Sequence, residues 1–393
     1  MLPVKTDVVI VGAGPTGLAL AITLRKAGVD CVVIEKLAAP QANSRAAVIH
    51  AHTLDVLDRI GAAAPLAAAG LRLRQFSIRD RDRAMLQMDF TAAPSPHNYL
   101  LMLPQNDTER LLAEALVAAG GQVWRNCAAD AVTMQPGGAS VAVTAPDGRR
   151  DVAARFVVGA DGMHSVVRQA AGIGYAGAAN AESFILADVD MHWGLPTDDV
   201  MIFFSPDGVM VVAPLPDGRF RIVATLADAP EHPDAALAQS ILRQRGPRQG
   251  QAEVTDLAWS SRFRVQHRLA DAYRKGPLLL VGDAAHVHSP AGGQGMNTGL
   301  VDAVVLGQLL ARVVAEGRPD TSLDAYERLR RPAAAEVLKL AGGLTTLATM
   351  RNPLARGLRN LGLGVVNALP PARRRLLLGL SGLGRAEAAQ LPD

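Results

Sequence analysis

The sequence predicts an α/β fold in which a doubly wound parallel sheet is interleaved with an antiparallel sheet and followed by a helical region. Three observations predict it. Val8–Val11 is a β-branched run that enters a glycine-rich turn and then a helical pattern, and a second apolar run, LLLVGD, enters another glycine-rich loop and helix far later in the chain. Between them, residues 183–226 alternate, are rich in Val, Ile and Phe, and are broken by the turns SPDG and LPDG, which reads as antiparallel sheet.

The opening segment has the order a dinucleotide site needs. Gly12, Gly14 and Gly17 form G-x-G-x-x-G with Pro15 between them, Leu18–Ala27 has helical spacing, and the run Cys31–Ile34 ends at Glu35 and Lys36. Gly12 permits the tight turn, Gly14 lets backbone approach a pyrophosphate, and Gly17 allows helix and strand to pack closely. The helix N-terminus offers amide donors and a positive dipole end to that pyrophosphate. Glu35 stands where a carboxylate accepts hydrogen bonds from a ribose.

The late segment suits the other end of a long ligand. LLLVGD places Asp283 at the carboxyl end of a parallel strand, the edge at which open α/β sheets bind ligands. The loop Pro290–Asn297, with Gly292, Gly293 and Gly295, lets backbone come close to a flat ring, and a helix from about Thr298 to Ala315 points its N-terminus at it. The opening segment alone suggests a nucleotide. Together the two point to FAD, held by its adenosine end and its ring end.

Between these segments, residues 44–70 read as helix with Ser44 as cap and Leu54, Leu57 and Ile60 on one face, and Thr108–Ala119 reads as helix closed by Gly120 and Gly121. Short strands follow from Gln122 to Phe156, turning at Pro146–Gly148. The expected organisation is a Rossmann-like FAD-binding domain of 1–70, 98–175 and 276–335, an antiparallel β-sheet substrate domain of 71–97 and 176–275, and a helical tail of 336–393.

Composition narrows the function classes. At 393 residues and 49% hydrophobic content the chain can bury a large core, and a net charge of +3 gives no reason to expect nucleic-acid binding. Two cysteines, Cys31 and Cys127, fit a reducing cytoplasm, and no run of about twenty uninterrupted apolar residues predicts a membrane span. The pairs His50/His52 and His286/His288 lack the acidic or cysteine partners that would complete a metal site. No G-x-S-x-G elbow supports a serine hydrolase.

Three motifs, GAGPTG with Glu35, GADGMHSVVR from Gly159 to Arg168, and GDAAHVHSPAGGQGMNTG from Gly282 to Gly299, resemble the signatures of the class A flavoprotein monooxygenases, the para-hydroxybenzoate hydroxylase-like aromatic hydroxylases. The resemblance implies that Arg45 reaches the FAD pyrophosphate, that Gln105 and Arg110 contact the cofactor, and that Asp161 serves near both FAD and the nicotinamide cofactor while Arg168 holds its loop. It further implies that Gly293, Gly295, Met296 and Asn297 meet the isoalloxazine, and that Pro290 lines its oxygen-reacting side as the catalytic position. In that family NADH or NADPH reduces the flavin, oxygen adds to give a flavin hydroperoxide, and one oxygen atom passes to an electron-rich ring. The expected partners are therefore a small aromatic substrate and O2.

The substrate side is less legible. Asp188, Asp190, His192, Phe204, Arg219 and Arg221 are candidates on the presumed sheet, but alternation does not say which face the pocket. The apolar, arginine-bearing tail fits either a helical cap or homodimer face, or a peripheral contact with an anionic bilayer. Two other functions are compatible with the motifs: an FAD-dependent reductase or dehydrogenase acting on a lipid-like or polycyclic substrate, and a non-catalytic flavin-binding protein.

Overall fold

A computed structural model describes all residues except 41–45, 250–251, 290–291, 351 and 393, and the backbone alone for 179–182 and 265. Five strands run parallel in the first sheet, in the order Leu278–Leu280, Gly148–Gly159, Lys5–Val11, Cys31–Glu35, Val123–Arg125, with the short strand Arg274–Lys275 antiparallel at one edge. The opening strand pairs Ile10 with Val158 on one side and Val33 on the other. Val8, Val9 and Ile10 are fully buried, as the central strand of a sheet covered on both faces must be. The long strand Gly148–Gly159 also pairs antiparallel, through its first half, with Gly138–Ala145.

The opening helix Pro15–Lys26 packs against the late helix Gln294–Val314. Their approach is close: a Cβ on Gly307 would stand 2.6 Å from Thr23 Cγ2. The late helix is long and apolar enough to cross a membrane, yet 83% of its apolar window is buried inside the protein, so its hydrophobicity is that of a core helix.

The second sheet has eight strands in the order His286–Val287, Ala252–Ala270, Tyr175–Trp193, Phe220–Leu226, Gly208–Pro214, Asp199–Ser205, Gln75–Asp80, Arg83–Asp89. Only the pair Asp199–Ser205 with Gln75–Asp80 is parallel. Alternation divides its faces. Ile185, Ala187, Met201, Phe203, Met210, Val212 and Ile222 pack beneath Ala238, Ile241 and Leu242 of the helix Ala235–Arg245, closing one core. The residues between them in sequence turn to the opposite face, which is the face that matters for function.

The expected helix over residues 44–70 is corrected. Val48–Ile49 is a strand paired with Leu101 and Met102, and only Ala51–Asp58 and Ala63–Ala69 are helical, separated at Gly61 with φ +67°. Tertiary pairing overrides local periodicity here: the carbonyls of Ala46 and Ala47 accept from the amides of Gln105 and Leu103, at 3.0 and 2.7 Å. Ser44 lies outside the described residues. Helix Gln105–Ala118 starts three residues before its expected first residue, and Leu54, Leu57 and Ile60 are buried, with Ile60 past the end of the helix Ala51–Asp58.

The tail is helical: Asp324–Ala348, Pro353–Ala368, Pro370–Ser381 and a 3-10 segment Leu383–Ala389. Asn352 caps the second of these by accepting from the amides of Leu354 and Ala355 at 2.9 and 3.2 Å. Its inner residues Leu363, Val366, Leu377 and Leu380 pack on the second sheet, so the tail is a cap over the protein's interior.

Candidate active site

A cavity of about 550 Å3 begins at Gly14, Pro15 and Thr16, passes Gln105, Ala160, Met163 and Asp283, meets Gly293, Gly295 and Met296, and ends on the second sheet. Its volume falls in the range of small-molecule and cofactor sites. The two glycine-rich segments, remote in sequence, thus face one space.

The opening turn is built from backbone alone. Gly12 has φ +103°, and a Cβ on Gly17 would collide with the Gly12 carbonyl oxygen, so helix and strand can approach only without side chains. Gly14 differs: its φ of −70° is open to any residue and a Cβ there would meet nothing within 4 Å. No side chain caps this helix, which leaves first-turn amides for an anion. Glu35 accepts from the Ala13 and Leu37 amides, both at 3.0 Å, which fixes its carboxylate beside the turn. Lys36 is exposed next to it and does not line the cavity.

In the middle, Gln105 Oε1 accepts from the Ala46 amide at 3.4 Å, and Nε2 donates to Glu109 at 2.8 Å. Asp161 Oδ2 accepts from the Val166 amide at 2.7 Å, whereas its Oδ1 is buried without a partner, and burial pushes its carboxyl above the ordinary range. Arg168 donates to the carbonyls of Ala284 (2.9 Å) and Met163 (2.7 Å) and stacks on Tyr175, 3.9 Å from the ring centroid, tying the Asp161 loop to the Asp283 turn. Arg110 is not brought to the cavity: it is half exposed and pairs with Glu114 at 2.9 Å on its own helix.

At the late glycine-rich loop, Gly293 (φ +62°) is the left-handed residue from which the late helix starts. That helix begins at Gln294 rather than Thr298, because Asn297 donates to the carbonyls of Gly293 and Val48 (2.8 and 2.9 Å) and accepts from the His50 amide (2.8 Å). Asn297 therefore braces the late glycine-rich loop against strand Val48–Ile49 from behind the cavity wall. Arg45 and Pro290 lie outside the described residues.

The end formed by the second sheet is apolar. Phe76, Ile78, Phe184, Ile202, Phe204, Val211, Val223 and Phe263 line it from the second sheet, joined by Leu344, Leu376 and Leu380 of the tail. Of the six sheet candidates, Phe204 and Arg221 line the cavity, and Asp188 holds Arg221 through a buried bidentate pair at 2.7 and 2.7 Å. Arg221 also donates to the Ala46 carbonyl at 3.1 Å, linking the sheet to the segment after the opening motif. Asp190 and His192 are exposed, and Arg219 pairs with Asp217 in a turn.

Several groups have surroundings that the sequence did not assign. His288 lines the cavity with its Nε2 buried and without a partner, and Nδ1 lies 2.9 Å from the Ser289 carbonyl. Asp302, fully buried, binds His286 at 2.6 Å and Arg330 at 2.7 Å, anchoring the late helix. Among the described residues no cluster of three His, Cys, Asp or Glu side chains gathers to hold a metal.

Burial pushes the His50 and His52 imidazoles down to about 4, so the folded chain refuses protons that the unfolded chain accepts from about pH 6.5 downward. Stability gained from their neutral forms is present above that value and falls as pH drops toward 4. Urea midpoints are expected to decline across this window, and His50→Gln to flatten the decline; a midpoint unchanged from pH 6.5 to 4.5 would contradict the burial argument.

The uncapped helix at Gly14, the open space at its Cα and the cavity that runs from it to the late glycine-rich loop fit a dinucleotide carrying a flat ring, and Asp161 does not itself line that cavity. Residues 5–341 match the FAD binding domain family. The 12-dehydrotetracycline 5-monooxygenase/anhydrotetracycline 6-monooxygenase of Streptomyces rimosus is 35% identical, the alignment covering 96% of this chain and 76% of that protein. Pentachlorophenol 4-monooxygenase of Sphingobium chlorophenolicum is 33% identical over 84% of this chain and 63% of that protein. The crystal structure of p-nitrophenol 4-monooxygenase from Pseudomonas putida superposes with a TM-score of 0.87 at 25% identity, covering 97% of this chain and 98% of that one. The chain thus belongs to the FAD-binding class A aromatic hydroxylases, the para-hydroxybenzoate hydroxylase-like flavoprotein monooxygenases.

Proposed function

We propose that this protein is an NAD(P)H- and O2-dependent flavin monooxygenase that hydroxylates a phenolic, quinone or polyketide-like aromatic compound. The observation that carries the reading is the single cavity that runs from the opening turn to a wall of sheet and tail side chains. Bound FAD supplies electron transfer from the nicotinamide and activation of oxygen; the chain supplies binding, orientation and a dry surrounding.

Each part of the cavity has a role in that reading. The amides of the opening helix and Gly14 hold the pyrophosphate, Glu35 the ribose, and Asp283 a hydroxyl of the ribityl chain. Arg45 is assigned to the pyrophosphate, while Lys36 and Arg110, which do not line the cavity, are left out of the cofactor set. Gly293, Gly295 and Met296 present backbone to the ring, and the late helix directs its positive end at negative charge developing there. Pro290 is assigned to the oxygen-reacting side. Phe184, Ile202, Phe204 and Val211 exclude water, which otherwise diverts reducing equivalents to hydrogen peroxide.

The test is a screen of ring compounds for acceleration of flavin reduction by NADH and NADPH, followed by product mass. A compound that speeds reduction and leaves one oxygen heavier establishes the reading; a substrate that is reduced under anaerobic conditions, with no oxygen uptake, would establish the reductase instead. Ile202→Trp, which fills the substrate end, is expected to raise KM at least about tenfold, a loss of ~1.4 kcal/mol of binding, while FAD content stays unchanged. Loss of FAD from this variant would misplace the substrate end.

A further inference from the structure

We propose that the outer face of the helix Pro353–Ala368, with the arginines that follow it, docks on an anionic lipid bilayer. Leu354, Leu358, Leu361, Val365 and Leu369 are exposed by 81, 71, 67, 48 and 51%. Their spacing of three and four residues puts them in one stripe. Among the described residues they account for most of the exposed large hydrophobic side chains, the others being Met1, Val4, Val117 and Met134, which are scattered.

The stripe faces outward because the opposite side of the helix is fastened. Leu363 and Val366 pack into the core, Asn367 Oδ1 accepts from the Gln87 amide at 2.9 Å, and Arg359 is buried, donating to the Leu347 carbonyl at 2.9 Å with its guanidinium 4.7 Å from the Phe204 ring centroid. Rotating the helix to hide the leucines would break all of these contacts.

Charge selects the occupant. No Asp or Glu occurs from Val337 to Ala386, while Arg373, Arg374 and Arg375 stand exposed on the next helix, Pro370–Ser381. A second copy of this chain would bring arginines against arginines. An anionic bilayer takes the leucines into its acyl boundary and pairs the arginines with headgroups. The helix that carries these arginines also sends Leu376 and Leu380 into the cavity wall, so the docking surface and the candidate active site share one element. The docking itself does not rest on the oxygenase reading.

Flotation of the FAD-loaded protein with vesicles of phosphatidylcholine alone, or of phosphatidylcholine with phosphatidylglycerol, tests this without turnover. The protein is expected to float with the anionic vesicles and to partition at least tenfold less to neutral ones. Leu354→Glu/Leu358→Glu/Leu361→Glu and Arg373→Glu/Arg374→Glu/Arg375→Glu are each expected to reduce anionic binding at least tenfold while the yellow colour, and hence the fold, is retained. Failure of the wild type to float, or flotation of the leucine variant equal to wild type, overturns the proposal. So does a wild-type dimer that ignores vesicles and dissociates in the leucine variant, which would make the stripe a self-interface.

Discussion

Gly14→Val is expected to yield a folded protein that has lost its flavin. The backbone at Gly14 is extended, any residue adopts it, and a Cβ meets nothing within 4 Å, so the folded chain tolerates the substitution to within about 0.5 kcal/mol. The added methyl groups project into the space in front of the opening helix, where the pyrophosphate must come within hydrogen-bond reach of the amides. FAD affinity should fall about a hundredfold or more, equivalent to ~2.7 kcal/mol. Urea midpoint and absorbance of the purified protein separate the two effects. Gly17→Ala provides the contrast, since its Cβ would strike the Gly12 carbonyl and should lower both stability and flavin content. A Gly14→Val protein that retains full colour would show that the pyrophosphate lies elsewhere.

The second large effect is expected at Asp302. Burial opposes its charge, but the guanidinium of Arg330 and the imidazole of His286 outweigh it and hold the carboxyl below the ordinary range. A carboxyl depressed on folding contributes stability that is present above its unfolded value, about 3.9, and lost as pH falls through its folded value. At neutral pH the contribution is therefore complete. Asp302→Ala strands a buried guanidinium, and breaking such a pair costs roughly 3–5 kcal/mol. Because Asp302 sits on the helix that starts at Gly293, flavin retention should fall with stability. Adding Arg330→Met should recover part of the loss; a double variant as unstable as the sum of the two single ones would deny the coupling.

The sequence was most legible where backbone chemistry dictates residue type. G-x-G-x-x-G needs its glycines at Gly12 and Gly17 for steric reasons that any chain of this shape shares, and the parallel strands announce themselves as unbroken apolar runs. Residues 44–70 misled because a helical period survives in a segment whose carbonyls at Ala46 and Ala47 are claimed by a strand and helix more than fifty residues away. The start of the late helix shifted for a similar reason, since the Asn297 side chain ties residues distant in sequence. In the second sheet, alternation gave two faces but not their environments. The helix Ala235–Arg245 covering one of them turns Phe204 and Arg221 to the cavity, whereas Asp190 and His192, in step with Asp188 on their strand, are exposed beyond the cavity's end. The sequence shows the His286/His288 pair but not its partners, because the contacts of His286 with Asp302 and of Asp302 with Arg330 come from long-range packing.

Quantitative release of flavin from the purified protein tests the central claim most directly. One FAD per chain, recovered without proteolysis and rebound by the stripped protein to restore its absorbance, is the result expected if both glycine-rich segments hold one ligand. Well-folded protein that stays colourless in excess FAD would contradict it.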